Sequence, residues 1–245
     1  MPEQEEWYRN WFESPYYDLL YKERGQEEAD MFIQNLVNHL SPKKHAVMLD
    51  LACGKGRYSI ALNRMGYNVT GTDLSQRKIT AAKEHENNEL LFTVHDMRTP
   101  LNSNNYDYVF NLFTSFGYFD DEEENKVVLT HVYNSLKKGG VFILDYVNGE
   151  KTAKSLIEHE ECLIDGIDFR INRYVKNNSI IKDIKIKDGA RECNFSEKIT
   201  IFPEAKLKQY ITGCGFEILE TFGDYQLNNF NTERSDRLII IARKV

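Results

Sequence analysis

One segment limits the fold more than any other: His45–Leu62, HAVMLDLACGKGRYSIAL. Val47 to Leu51 is a short apolar run, Ala52-Cys53-Gly54-Lys55-Gly56 is a turn of mostly small residues, and a helix-compatible stretch opens near Arg57. The order is therefore strand, tight glycine turn, helix. Glycines at 54 and 56 let the backbone bend sharply and come close to a ligand. Free amide groups at the start of the helix carry partial positive charge that can meet a carboxylate or phosphate. The segment is the expected address of a nucleotide-like ligand.

With 245 residues the chain can form one α/β domain with an insertion and bury a sizeable core. Its 31 basic and 38 acidic side chains leave a net charge of −7, and no Lys/Arg cluster appears, which argues against a general grip on nucleic acid. No apolar run approaches the ~20 residues of a membrane span, and the opening MPEQEEWYRNWF lacks the charged-then-apolar profile of a signal peptide. A soluble, cytoplasmic protein with no membrane partner is expected. Cys53, Cys162, Cys193 and Cys214 show no CxxC spacing and no histidines at zinc-site intervals, so they read as buried or semi-buried thiols with no metal.

Residues 4–22 concentrate Trp7, Tyr8, Trp11, Phe12, Tyr16, Tyr17 and Tyr21 around Ser14-Pro15, which predicts two short helices broken at the proline. These rings either pack the arm onto the domain or line a pocket as a lid. Apolar residues at three- and four-residue steps predict a helix over 26–40, stopped by Ser41-Pro42. Further strands are expected from Tyr67 to Thr72, Leu90 to Val94, Tyr106 to Asn111 and Val141 to Tyr146. Ser75 is placed to cap the helix after Asp73, and Lys137-Lys138-Gly139-Gly140 to close the helix over 123–136. Alternating strands and helices imply a parallel, doubly wound sheet with its ligand at the carboxyl ends of the strands.

After Asn148 the period changes to two. Runs at about 158–164, 167–176, 180–187 and 191–201, separated by Asp165-Gly166, Asn177-Asn178 and Asp188-Gly189, predict an antiparallel meander. Its register sets Ile171 beside Ile184 beside Cys193, and Phe169 beside Ile186, and places Arg173, Lys182 and Glu197 on the same apolar face. Those three charges must satisfy one another or meet a ligand. A helix from Pro203 through Ile211 and runs at 216–222 and 238–244 complete the chain. The polar stretch 223–237 between them is long enough to reach back over a site. The expected division is an N-terminal arm or lid (1–40), a Rossmann-like core (41–150), an antiparallel insertion over the active site (151–202) and a C-terminal helix with the last two strands (203–245).

No lysine followed by Ser/Thr stands after the glycine turn, so a P-loop is excluded. Asp50, Asp73 and Asp96 lie 23 positions apart, each at a strand end. At this point the sequence resembles the class I S-adenosylmethionine-dependent methyltransferases of the small-molecule and uncharacterised bacterial type with an antiparallel insertion. VMLDLACGKGRYS is similar to their first motif, VTGTDLS to the ribose-binding acidic motif, and VHDMR to the adenine-contacting segment. YDYVFNLFTSFGYF is similar to the fourth-strand motif and LKKGGVFILDYVN to the fifth.

The resemblance implies a seven-stranded Rossmann-like sheet and S-adenosyl-L-methionine as cofactor. It implies that Asp50 orients the methionyl group, that Ala52, Gly54 and Gly56 border it, and that Asp73 holds the ribose hydroxyls with Leu74 against adenine. Asp96 accepts from the adenine amino group, Met97 flanks the ring, and the Asn111 carbonyl faces the sulfonium. The fourth motif lacks the Asn/Asp-Pro-Pro-Tyr/Phe signature of enzymes that methylate nucleobase or glutamine amino groups, having Asn111-Leu112-Phe113-Thr114 instead. The expected acceptor is a small molecule, with Tyr17, Arg24, Ser115, Phe116, Tyr118 and Arg173 as candidate contacts. No catalytic base is assigned. A regulatory module that binds the cofactor without turnover, a protein or tRNA methyltransferase, and an NAD-linked oxidoreductase are the rival readings.

Overall fold

The computed structural model describes residues 6–22 and 25–245. Two short helices, α1 (Trp7–Glu13) and α2 (Pro15–Leu20), form the arm. Ser14 separates them, its hydroxyl accepting from the Tyr16 amide at 3.2 Å. Pro15 takes the first position of α2, where a missing N–H leaves nothing unsatisfied. Helix α3 (Gln26–Leu40) buries Ala29, Phe32, Ile33, Leu36 and Val37 along one face. Strand β1 (Val47–Leu51) then leads through the glycine turn into α4 (Arg57–Arg64), β2 (Asn68–Asp73), α5 (Gln76–Ala82), β3 (Leu90–Val94) and β4 (Tyr106–Asn111). Helix α6 (Glu122–Ser135) starts with Asp121 accepting from the Glu123 amide and three glutamates in its first turn, where the helix dipole favours anions.

Strand β5 spans Leu136–Val147 and α7 Gly149–Lys154. The inserted sheet comprises β6 (His159–Ile164), β7 (Ile167–Lys176), β8 (Ser179–Asp188) and β9 (Arg191–Thr200), paired in that order. Helix α8 (Glu204–Gly213), β10 (Phe216–Phe222) and β11 (Arg237–Lys244) finish the chain. The main sheet has seven strands in the order β10-β11-β5-β4-β1-β2-β3. The inner strands β1 and β11 and the second half of β5 read as nearly unbroken apolar runs because both faces are covered there. Met48, Phe110, Ile143, Ile239 and Ile241 meet α3 and α4 on one side, and Leu49, Val109, Phe142, Leu144 and Ile240 meet α6 and α8 on the other.

Three local expectations need correction. The sheet is mixed, since β11 runs antiparallel to both neighbours. Lys137–Gly140 do not close α6. The helix stops at Ser135, Leu136 pairs with Tyr106, and the next partners are Val141 and Tyr108, so the cations and glycines fill a wide bulge. Gly139, at φ 77°, supplies the left-handed residue, and Lys137 pairs with Asp107 at 2.9 Å. In the meander the last turn is Gly189-Ala190, because Asp188 stays in the ladder opposite Arg191 and accepts from the Tyr16 hydroxyl at 3.0 Å. Phe195 therefore stands beside Ile184, and Cys193 beside Ile186. A separate apolar cluster joins the two pieces with no covalent neighbourhood: Trp11 and Tyr16 of the arm pack on Phe169, Ile171, Ile184 and Ile186 of the inserted sheet. Among the described residues no helix is long and apolar enough to cross a membrane.

Candidate functional site

A cavity of about 330 Å³ opens at the carboxyl ends of β1, β2, β3 and β4. Its floor is the turn Leu51 to Gly54. Asp73, Leu74, His95, Asp96 and Met97 make one wall, and Leu112, Phe113, Ser115, Tyr118 and Phe119 the other. Tyr8, Phe12, Tyr17 and Tyr21 of the arm form the roof, while Lys22, Lys55, Arg57 and Lys78, with Asp18, complete the lining.

The floor is held by the chain itself. Ala52, Gly54 and Gly56 have φ of 64°, 59° and 84°. One Asp73 carboxylate oxygen accepts from the Gly54 amide at 2.8 Å and the other from the Ser75 amide at 2.8 Å, tying the turn to the start of α5. The two glycines differ in use. A Cβ on Gly56 would stand 2.6 Å from the Phe92 ring, so this residue serves close packing and does not line the cavity, whereas a Cβ on Gly54 would meet only Lys78 Cδ, at 4.0 Å.

Asp50 also lies beneath the floor and not on it. It is buried and accepts from Ser59 Oγ at 2.6 Å, and burial raises its pKa to about 6 despite that bond. Asn111 is likewise buried off the lining. Its Nδ2 donates to the carbonyls of Leu51 (3.0 Å) and Ser115 (3.3 Å), so it spaces the floor from the wall, and its Oδ1 has no hydrogen-bond partner among the described residues.

On the β2–β3 wall Asp96 is engaged by Arg98, with Nη2 to Oδ2 at 2.7 Å and Nε to Oδ1 at 3.1 Å. Burial alone would raise the Asp96 carboxyl, but the Arg98 hydrogen bonds hold it below the usual carboxylate range. Arg98 also reaches Glu124 at 3.0 Å and Glu6 at 2.7 Å, joining α6 and the arm to this wall. Burial pushes the His95 imidazole down, towards its neutral form.

The arm is latched over the cavity through Asp18. This carboxylate meets Arg77 at 2.6 Å and Lys55 of the glycine turn at 3.0 Å, and those two hydrogen bonds keep it low against the effect of burial. Arg77 also donates to the carbonyls of Glu13 (2.8 Å) and Ser14 (3.2 Å). Tyr17 and Tyr118 both line the cavity, and Tyr118 donates to the Thr114 carbonyl at 2.6 Å, with burial pushing its ionisation far up, so it is a neutral donor. Ser115 lines the wall with its hydroxyl turned to the Leu112 carbonyl at 2.8 Å.

Other candidate contacts fall elsewhere. Phe116 is 1% exposed and packs on Phe202, because the chain turns it into the core between β4 and α6. Arg173 does not line the cavity; it pairs with Glu160 of the neighbouring strand and donates to the Ile157 carbonyl at 3.2 Å. Arg24 lies outside the described residues. Lys182 and Glu197, on the same face as Arg173, do meet each other, at 3.7 Å, and the arm supplies further partners. Tyr21 donates to Glu197 at 2.7 Å and accepts from Lys182 at 2.5 Å, and Trp11 Nε1 donates to Glu197 at 3.3 Å. No described residue of the inserted sheet lines the cavity, so the sheet acts on it through the arm. The 223–237 stretch also stops short: Tyr225 stacks on Phe32 at 4.1 Å, and Arg237 pairs with buried Asp145 at 2.7 Å behind Phe113.

Sequence reasoning passed over Asp18, Lys55, Arg57, Lys78 and His95 as lining residues. Asp18 stands among the arm rings, for which packing and pocket lining were both open, Lys55 stands in the glycine turn and Arg57 at the start of α4. Nothing in the pattern of α5 singled out Lys78.

The donors fit an adenosyl ligand. Asp73 keeps lone pairs towards the cavity beyond those used by the two amides, as a carboxylate offers about four. It suits a ribose diol and repels a 2′-phosphate. A seven-stranded sheet of this order, with a glycine turn after β1 and carboxylates at the ends of β2 and β3, defines a class I S-adenosylmethionine-dependent methyltransferase. A family model described as a methyltransferase domain matches residues 42–187, and the chain belongs to that family, with S-adenosylmethionine as its methyl donor.

The chain is 26% identical over 235 residues to a glycine/sarcosine N-methyltransferase of Aphanothece halophytica, covering 90% of this chain and 83% of the relative. Its fold is similar to that of an S-adenosylmethionine-dependent methyltransferase from Clostridium acetobutylicum, with a TM-score of 0.78, 20% identity and coverage of 94% and 96% of the two chains. It is also similar to SAM-bound CalS10, an amino pentose methyltransferase from Micromonospora echinaspora, with a TM-score of 0.69, 18% identity and coverage of 95% and 98%.

Proposed function

We propose that the protein methylates a small molecule bearing an amino group, in the cytoplasm. The observation that carries this reading is the continuity of the cavity from the Asp73 and Asp96 wall to an aromatic roof latched by Asp18, a lining on which a nucleoside cofactor and a small acceptor would meet. The relative that acts on glycine and sarcosine and the neighbour that acts on an amino pentose support the same acceptor class.

When bound, the cofactor would supply a methyl group on a sulfonium sulfur, whose carbon an acceptor lone pair attacks in line while the thioether leaves. In this reading Asp73 receives the ribose hydroxyls, Leu74 and Met97 flank the adenine, and Asp96 accepts from its amino group. Ala52 and Gly54 border the methionyl end, with Asp50, Gly56 and Asn111 shaping that turn from below. Tyr17, Ser115 and Tyr118 bound the acceptor space, and Arg24 keeps its assignment there as a proposal. The contribution of the chain is alignment and exclusion of water by the closed roof. A neutral amine brings its own lone pair, so no side chain is assigned as base.

The test is transfer of labelled methyl from S-adenosylmethionine across a panel of glycine, sarcosine and amino sugars, read as S-adenosylhomocysteine released. Turnover of at least one amine is expected. Cofactor binding with no release across the panel would favour a sensing module instead.

A further inference from the structure

Lys78 stands out among the cations of the cavity. It projects from α5, the residue as a whole is 6% exposed, and it lines the cavity beside Gly54. Lys55 is paired with Asp18 and Lys22 with Asp165, whereas among the described residues the Lys78 ammonium has no hydrogen-bond partner and no carboxylate within ion-pair distance. Its ammonium faces the rings of Tyr17 at 4.1 Å and Phe12 at 4.8 Å. Ring faces attract a cation but accept no conventional hydrogen bond, so the ammonium donors are left to whatever occupies the cavity. Asp73, Asp18 and Glu13 lie near enough to favour its charge, and Arg77 opposes it, with burial the largest influence and directed towards the neutral amine. An anionic oxygen group in the cavity would supply the acceptors that the rings do not.

We propose that Lys78 holds the α-carboxylate of the cofactor's amino-acid tail. The argument rests on the methyltransferase reading of the cavity. The aliphatic stem of Lys78 borders Gly54, the one floor glycine open to the cavity, and Lys22, Lys55 and Arg57 line the same cavity. Four cationic side chains thus line one cavity in a chain whose net charge is −7. The amino-acid tail would also cover the Tyr17 and Phe12 faces from below, so binding and arm closure share one side chain.

The test is calorimetric titration of the full chain and of Lys78→Met with two ligands: S-adenosylhomocysteine, which carries the tail, and 5′-methylthioadenosine, which has the same nucleoside thioether without it. Met keeps the unbranched packing under the two rings and removes the charge. A charged hydrogen bond of this kind corresponds to a loss of roughly tenfold or more in affinity. Lys78→Met is expected to weaken S-adenosylhomocysteine by about that factor and to leave 5′-methylthioadenosine unchanged, with Lys78→Arg recovering most of the loss. An equal effect on both ligands, or on neither, overturns the assignment. Failure of the unsubstituted protein to bind either ligand would instead overturn the methyltransferase reading of the cavity. Retained 5′-methylthioadenosine binding by the variant shows that it is folded.

Discussion

Asp50 is the residue whose environment makes the sharpest claim about pH. Unfolded, its carboxyl titrates near 4; folded, burial raises it to about 6. The native state therefore binds the proton more tightly than the unfolded chain, and the contribution of Asp50 to stability falls as pH rises from about 4 to about 6 and is level above that. Asp50→Asn removes this dependence, so the difference in unfolding free energy between wild type and variant should shift by about 2–3 kcal/mol across that window, as read by urea unfolding at successive pH values. Lys182 and Glu197 make a second claim. Their side chains are 12% and 14% exposed, so Glu197→Gln removes one charge from a largely buried ion pair. A loss of about 2–4 kcal/mol is expected, and Lys182→Met combined with Glu197→Leu should recover most of it. A single variant as stable as wild type would contradict a stabilising role for the pair.

At the scale of elements the arm is the decisive piece, since α1 and α2 roof the cavity while packing their other side on the inserted sheet. Asp18→Asn should loosen the Arg77 and Lys55 latch, raise amide exchange over residues 7–20 and leave exchange in β1 and β4 unchanged. Uniform protection in the variant would mean that the Trp11 and Tyr16 contacts hold the arm unaided. The helices and strands around this arm were legible because their patterns are local: apolar spacing over 26–40, Ser75 as a cap, alternation after Asn148. What escaped was decided by contacts distant in sequence. Lys137–Gly140 carry every mark of a helix C-terminus, yet the pairing of Leu136 with Tyr106 draws them into β5. Phe116 and Arg173 have the chemistry of a binding residue, and only packing shows one turned into the core and the other spent on Glu160. The three carboxylates were legible at strand ends, but their depth was not. Asp73 and Asp96 face the cavity, whereas Asp50 lies one layer below.

For the molecule as a whole, the seven-stranded sheet fixes a carboxyl-end edge, the glycine turn and Asp73 shape its floor, and the arm braced by the inserted sheet closes it. In the proposed reading these three parts together receive the nucleoside cofactor. The same assembly explains why the insertion can lie 100 residues from the glycine turn in sequence and still bear on the site, through Tyr21 and Trp11. The most direct measurement of the account is calorimetric titration with S-adenosylmethionine of wild type, Asp73→Asn and Asp73→Ala, with thermal unfolding of each as the folding control. One-site binding by the wild type, weakened in Asp73→Asn and largely abolished in a folded Asp73→Ala, is the predicted result. Undiminished binding by Asp73→Ala, or no binding by the wild type, would contradict it.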